Sequence, residues 1–155
     1  MKKLFIITAI ITLLVGVASS TSQMLKPVKW QISYKKVSEG MYDIICKATI
    51  ESDWHLYDTE LPEGGPQPTT FNEDQDETSG IELVGKFKAT TKPLTEYSEA
   101  FNMELKYFKD SVTFIQRVKL TKDVAKLVGY VEFMACSGGQ CIPPAEEDFE
   151  FDLKK

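Results

Sequence analysis

From Val28 onward the chain alternates apolar and polar residues, so that every second side chain points to the same face, which is the period of a half-buried β-strand. Val28, Trp30, Ile32 and Tyr34 form the first such face, Ser38-Glu39-Gly40 turns the chain, and a second strand runs from Met41 to about Ile50. In that strand Ile44, Cys46, Ala48 and Ile50 share one face and Asp43, Lys47, Thr49 and Glu51 the other, which makes Cys46 a small core residue. A short aromatic strand, Trp54-His55-Leu56-Tyr57, leads into Leu61-Pro-Glu-Gly-Gly-Pro-Gln-Pro68. The prolines and glycines of that segment exclude helix and central strand and put it on the surface. Glu73, Asp74, Asp76 and Glu77 read as a solvated acidic loop without the glycine and spacing of an EF-hand. Ile81, Leu83, Gly85 and Phe87 alternate again, Thr90 to Ala100 reads as a polar loop, and Met103, Leu105 and Tyr107 resume the pattern. Val112, Phe114, Val118 and Leu120 mark one face of Ser111 to Leu120, interrupted by Gln116, and two last strands, Gly129 to Ala135 and Phe149 to Leu153, follow. About eight strands with no amphipathic helix and no repeat predict an all-β sandwich rather than an α/β fold.

The N-terminus has a different pattern. Lys2 and Lys3 precede an apolar run from Leu4 to Val17 and the small residues Ala18, Ser19 and Ser20, the layout of a secretory signal peptide ending near Ser20. The run is shorter than the ~20 residues that span a bilayer, so residues 21–155 are expected as one exported domain with no direct membrane span. Loss of Lys2 and Lys3 leaves 16 of the 18 basic residues against 23 acidic ones, a formal charge of −7. An acidic surface with no basic run argues against nucleic acid as a partner. Export places the cysteines where disulfides persist.

Chemistry concentrates near the C-terminus, in Cys136-Ser-Gly-Gly-Gln-Cys141 followed by Ile142-Pro143-Pro144. A Gly-Gly turn lets two such cysteines bring their Cα atoms within the ~4.4–6.8 Å a disulfide needs. So short a loop gains little chain-entropy stabilisation. Gly138 and Gly139 leave room for another protein's disulfide, and thiol exchange depends on that access and on the thiolate fraction. The spacing leaves two readings open, a pair that opens and closes and a structural staple. A closed zinc site wants four Cys or His ligands, which three Cys and one His with Cys46 in the core do not supply, so no metal or other cofactor is expected. Cys–His hydrolysis would need His55 beside the pair and a third orienting group.

Taken together, Trp54-His55-Leu56-Tyr57, Leu61 to Pro66, Lys106-Tyr107-Phe108, Gly129 to Met134 and Cys136 through Pro144 resemble the N-terminal periplasmic domain of the transmembrane disulfide reductase DsbD, the disulfide-bond corrector family. The resemblance implies an immunoglobulin-like β-sandwich whose final hairpin carries the pair, with Cys136 and Cys141 as the exchanging thiols. It implies a cap loop, for which Glu96-Tyr97 and nearby Phe101 are the best match, and a thiol environment that includes His55 and Tyr57, His55 standing where the family has an aromatic. The position before Glu96, where the proteobacterial motif has a second acid, is Thr95. In the family the domain takes electrons from a thioredoxin-like domain and passes them to exported proteins that isomerise disulfides or mature cytochrome c.

The reading is therefore a periplasmic thiol-disulfide oxidoreductase domain. It would relay electrons between thioredoxin-like proteins, or a membrane disulfide reductase, and exported disulfide-containing proteins. The alternatives are a non-catalytic immunoglobulin-like binding module with a structural disulfide, and a corrector domain turned to thiol scavenging.

Overall fold

The computed structural model describes residues 25–155, and the signal peptide expected at 1–20 lies outside the described residues. Among those residues the chain forms twelve strands: β1 (Val28–Ser38), β2 (Met41–Ile50), β3 (His55–Tyr57), β4 (Thr70–Glu73), β5 (Ile81–Ala89), β6 (Leu94–Ser98), β7 (Met103–Phe108), β8 (Ser111–Leu120), β9 (Val124–Phe133), β10 (Ala135–Ser137), β11 (Gln140–Cys141) and β12 (Ala145–Lys154). No helix among them is long and apolar enough to cross a membrane. The architecture is an all-β sandwich. One sheet has the order β1-β2-β8-β5, a second β12-β9-β4, and a third β11-β10-β3-β7-β6.

Alternation explains the main core. Ile44, Cys46, Ala48 and Ile50 of β2, with Val112, Phe114, Val118 and Leu120 of β8, are buried against Ala125, Leu127, Val131 and Phe133 of β9 and Phe149 and Leu153 of β12. Each fully buried Leu, Val or Phe side chain contributes about 1.5–3 kcal/mol. Cys46 is fully buried among them, as its place in the alternation predicts. Gln116, the polar interruption in β8, is buried as well. Its amide donates to the carbonyls of Arg117 at 2.8 Å and Val84 at 3.3 Å. The register of β5 against β8 shifts between Val84 and Lys88, where Gly85 adopts a φ of 73°, so the side chain of Gln116 supplies a donor where the ladder is irregular.

Three segments depart from the sequence reading. Thr70–Glu73, where the acidic loop was expected to begin at Glu73, is the short strand β4 paired with β9. The Thr90–Ala100 segment contains β6, paired residue by residue with β7 from Leu94–Tyr107 to Ser98–Met103, so the expected polar loop is one arm of a hairpin. Its side chains are mostly exposed, which is why periodicity concealed it. The final hairpin has two tiers: β9 pairs with β12 up to Phe133–Ala145, and residues 134–144 leave that sheet to form the smaller hairpin of β10 and β11.

Gly129 occupies an inward position of β9, opposite Phe149 on one side and Glu73 on the other. A Cβ there would overlap the Asn72 carbonyl oxygen and stand 2.9 Å from the Phe149 ring. Gly129→Ala is expected to cost about 1–3 kcal/mol by forcing β4 away from β9, read as a lower urea midpoint; an unchanged midpoint would show that β4 yields freely.

Candidate functional site

The cysteine hairpin owes its position to a change of sheet. Phe133 pairs with Ala145 of β12, whereas Ala135, two residues later, pairs with Leu56 of β3. Ser137 and Gln140 close β10 and β11 around Gly138 and Gly139, with φ of 53° and 83°. Two successive positive φ values are the type I′ hairpin turn that matches strand twist and favours glycine. A Cβ on either glycine would meet nothing within 4 Å, so the backbone conformation and not crowding selects them. Cys136 and Cys141 are directly opposed, with Cα atoms 4.0 Å apart, and are joined as a disulfide. Cys136 is 3% exposed, while Cys141 is only half-buried.

Cys136 is also in register with His55 of β3. Directly opposed residues present their side chains to the same face of a sheet, so Cys141, Cys136 and His55 form one row across β11, β10 and β3. Tyr57 continues that face along β3 and is opposed by Tyr107 of β7; Leu105, two residues from Tyr107, is opposed by Glu96 of β6. The opposite face of the same sheet sends Leu56, Phe108 and Ala135 into the main core. On the outer face Tyr57, Leu105, Tyr107 and Cys136 make a second apolar cluster, against which Leu61, Phe101, Met103 and Cys141 pack. Thr69 anchors the return of the Pro-Gly loop, its hydroxyl donating to the Tyr57 carbonyl at 2.6 Å.

Polar groups in this cluster are paired with one another. The Tyr107 hydroxyl donates to Glu96 Oε2 at 2.6 Å, and this bond, followed by burial and the carboxylate charge, pushes the phenol up to about 12. His55 Nε2 lies 3.2 Å from the Tyr57 hydroxyl, and the His55 ring sits 4.9 Å from that of Tyr107. Burial lowers the basicity of His55, the positive charge of Lys109 lowers it further, and Glu96 pulls it the other way. Burial raises the Tyr57 phenol.

Two clefts flank the disulfide. One, of about 390 Å³, is bounded by His55, Tyr57, the Ser98–Phe101 turn and both cysteines. The other, of about 600 Å³, runs beside Cys141 along Ile142, Pro143 and Pro144 to Leu25 and Pro27. Of the residues singled out by sequence, Cys136, Cys141, His55, Tyr57 and Phe101 meet here, and Glu96 reaches the cluster through Tyr107. Tyr97 borders a neighbouring cleft of about 170 Å³ with His55, Tyr57 and Glu96 but neither cleft beside the cysteines; it is 54% exposed and its hydroxyl donates to Asn102 across the β6–β7 turn. Tyr107 and Lys109 were not singled out. Tyr107 looks like another core position in its alternating strand, and only the pairing of β7 with β3 brings it beside His55.

Residues 21–153 match the family described as thiol:disulfide interchange protein DsbD, N-terminal. No curated protein matches the chain. Among solved structures the chain is similar to the N-terminal periplasmic domain of ScsB from Proteus mirabilis, at 18% identity and a TM-score of 0.59 over 86% of this chain and 49% of that one. It therefore shares that fold and spans about half the length of the ScsB chain. It is also similar to the DsbD N-terminal domain of Neisseria meningitidis in the reduced form, at 14% identity and a TM-score of 0.49 over 80% of this chain and 86% of that one.

The three cysteines fall into two chemical classes. Burial pushes the Cys46 thiol up to about 12, so after mild reduction Cys141 is expected to react first with an alkylating reagent, Cys136, which is 3% exposed, more slowly, and Cys46 only on unfolding. Because the folded protein keeps a proton that the unfolded chain releases, the Cys46 contribution to stability is full below the ordinary thiol value of 9.0 and is lost as pH rises from there toward about 12. Cys46→Ala removes that alkaline slope at a cost of about 1 kcal/mol near neutrality, which denaturant titration at several pH values measures.

Proposed function

Because this chain belongs to the family of the N-terminal domain of the thiol:disulfide interchange protein DsbD, we propose that it is a periplasmic thiol-disulfide exchange domain working through Cys136 and Cys141. The observation that carries this reading is the placement of the disulfide. It joins two residues already opposed in a two-residue hairpin, with Cys141 opening on two clefts. A bridge closing so short a loop contributes about 2 kcal/mol in the chain-entropy account, which makes a purely structural role a poor use of an accessible bond.

In this reading Cys141, the more exposed residue of the pair, is the one that meets partners. With the pair reduced, the Cys141 thiolate attacks a partner disulfide and forms a mixed disulfide, expelling one partner thiol. Cys136 then attacks Cys141 Sγ, the Cys136–Cys141 bond forms, and the second partner thiol leaves. Two electrons and two protons have moved to the partner. The reverse sequence, with a thioredoxin-like protein or a membrane disulfide reductase as donor, restores the dithiol. Acceptors are exported disulfide-containing proteins, including those that serve cytochrome c maturation. Phe101, packed edge-on to Tyr57 with ring centroids 6.4 Å apart, belongs to the cap over the pair, and movement of the β6–β7 turn opens it.

The reduction potential, read by equilibration with glutathione, is expected above about −300 mV, the region of labile rather than structural disulfides. A lower value favours a binding module with a structural staple. Cys136→Ala is expected to accumulate mixed disulfides with a thioredoxin-like protein and Cys141→Ala far fewer; equal trapping would reject the assignment of Cys141. Phe101→Ala is expected to speed oxidation of the reduced pair by a small disulfide several-fold, with Tyr97→Ala close to wild type. Identical rates in all three proteins remove the cap.

A further inference from the structure

The exchange sequence above poses a problem at Cys136. This sulfur is almost wholly buried in an apolar cluster, and burial in such surroundings keeps a thiol protonated, whereas only the thiolate attacks. The resolving step therefore needs a proton acceptor inside the site. The titratable side chains lining the cleft over the pair, among the described residues, are His55, Tyr57 and Glu99. The Tyr57 phenol is raised by burial and is no base near neutral pH. Glu99 stands exposed on the β6–β7 turn, outside the apolar cluster that holds Cys136. Glu96, on the neighbouring strand, is engaged by the Tyr107 hydroxyl.

The geometry points to His55 as the proton acceptor and donor for Cys136, an inference that rests on the exchange reading of the pair. Opposed positions on neighbouring antiparallel strands hold Cβ atoms about 4.5–5.5 Å apart on one face, and His55 and Cys136 are such a pair, bordering the same cleft. The contact of Nε2 with the Tyr57 hydroxyl orients the ring. If Nε2–H donates to that hydroxyl, Nδ1 carries the free lone pair. Lys109 beyond β7 and Glu96 on β6 act on the charge of His55, and the other titratable groups that face it are Tyr57 and Tyr107, in contact with the ring, and Glu99 across the cleft. Burial and Lys109 keep the imidazole neutral near pH 7 and hence able to accept.

The step balances without any further reagent. In the mixed disulfide, His55 takes the Cys136 thiol proton, the thiolate attacks Cys141 Sγ, the Cys141–partner bond breaks, and the departing partner thiolate takes the proton back. In the reverse direction His55 takes the proton of the donor thiol, the resulting thiolate attacks Cys141 Sγ and expels Cys136 as thiolate, and His55 passes that proton to Cys136.

The test uses the reduced protein and one equivalent of an aromatic disulfide that releases a coloured thiolate. Release occurs twice: first as the reagent couples to Cys141, then as Cys136 displaces it. In His55→Phe, which keeps a ring in the cluster, and in His55→Gln, the second phase is expected to slow about tenfold or more near pH 7. The first phase should be unchanged, and the deficit should vanish at alkaline pH where the thiol ionises unaided. In the wild type the second phase should rise with the ionisation of His55, which proton NMR reads directly because the chain has a single histidine. An unchanged second phase in both variants, equal slowing of both phases, or a wild-type second phase that follows thiol ionisation overturns the assignment. Absence of both phases in the wild type would instead remove the exchange reading on which it rests.

Discussion

Backbone pairing between Ala135 and Leu56, and between Cys136 and His55, is the constraint on which the rest of the site depends. The extended chain of β9 serves the main core up to Phe133, then at Met134 transfers to a different sheet. That transfer turns the alternation to a new use. Ala135 still faces the main core, while Cys136, the next residue, faces a second, smaller cluster on the outer side. Without β3 to receive β10, the cysteine turn would be a free loop between β9 and β12.

Two buried cysteines in one domain show how environment separates residues of one type. Cys46 lies in the middle of β2 with apolar neighbours and no polar contact, and burial holds its thiol far above the ordinary range. Cys136 is nearly as buried, yet it sits one strand from a histidine and opposite a second, more exposed cysteine. The outer cluster carries hydroxyl, imidazole and carboxylate groups that satisfy one another through Tyr107–Glu96 and His55–Tyr57. Such pairing lets a polar network persist beside apolar side chains, where an unpaired group would cost about 1–3 kcal/mol.

Strands β2 and β8 were legible because they are buried on one face only. Met41–Ile50 and Ser111–Leu120 match the alternation residue for residue. Strands β4 and β6 were not, for a physical reason: they are short and carry no buried row, so pairing alone defines them. Cys136 and Cys141 stood out through Gly-Gly spacing, and a Gly-Gly pair with both φ values positive is the turn that spacing implies. Glu96, Tyr97 and Phe101 were grouped as one lid. Tyr97 separates from the others because the hairpin pairs Glu96 with Leu105 but Tyr97 with Glu104, so neighbours in sequence point to opposite faces.

By itself the sequence determined an all-β chain, the place of Cys46 in its core, the tight cysteine hairpin and the membership of a redox family. Each of these is carried by local information: period-two burial, turn chemistry, and motifs a few residues long. Tertiary structure alone decided which strand lies beside which. The register that sets His55 opposite Cys136 spans eighty-one residues of sequence, and the one that sets Tyr57 opposite Tyr107 spans fifty. The unequal exposure of Cys136 and Cys141 also follows from those pairings. Alternation specifies which face a side chain takes, but the partner on the next strand is chosen by the packing of the whole sandwich.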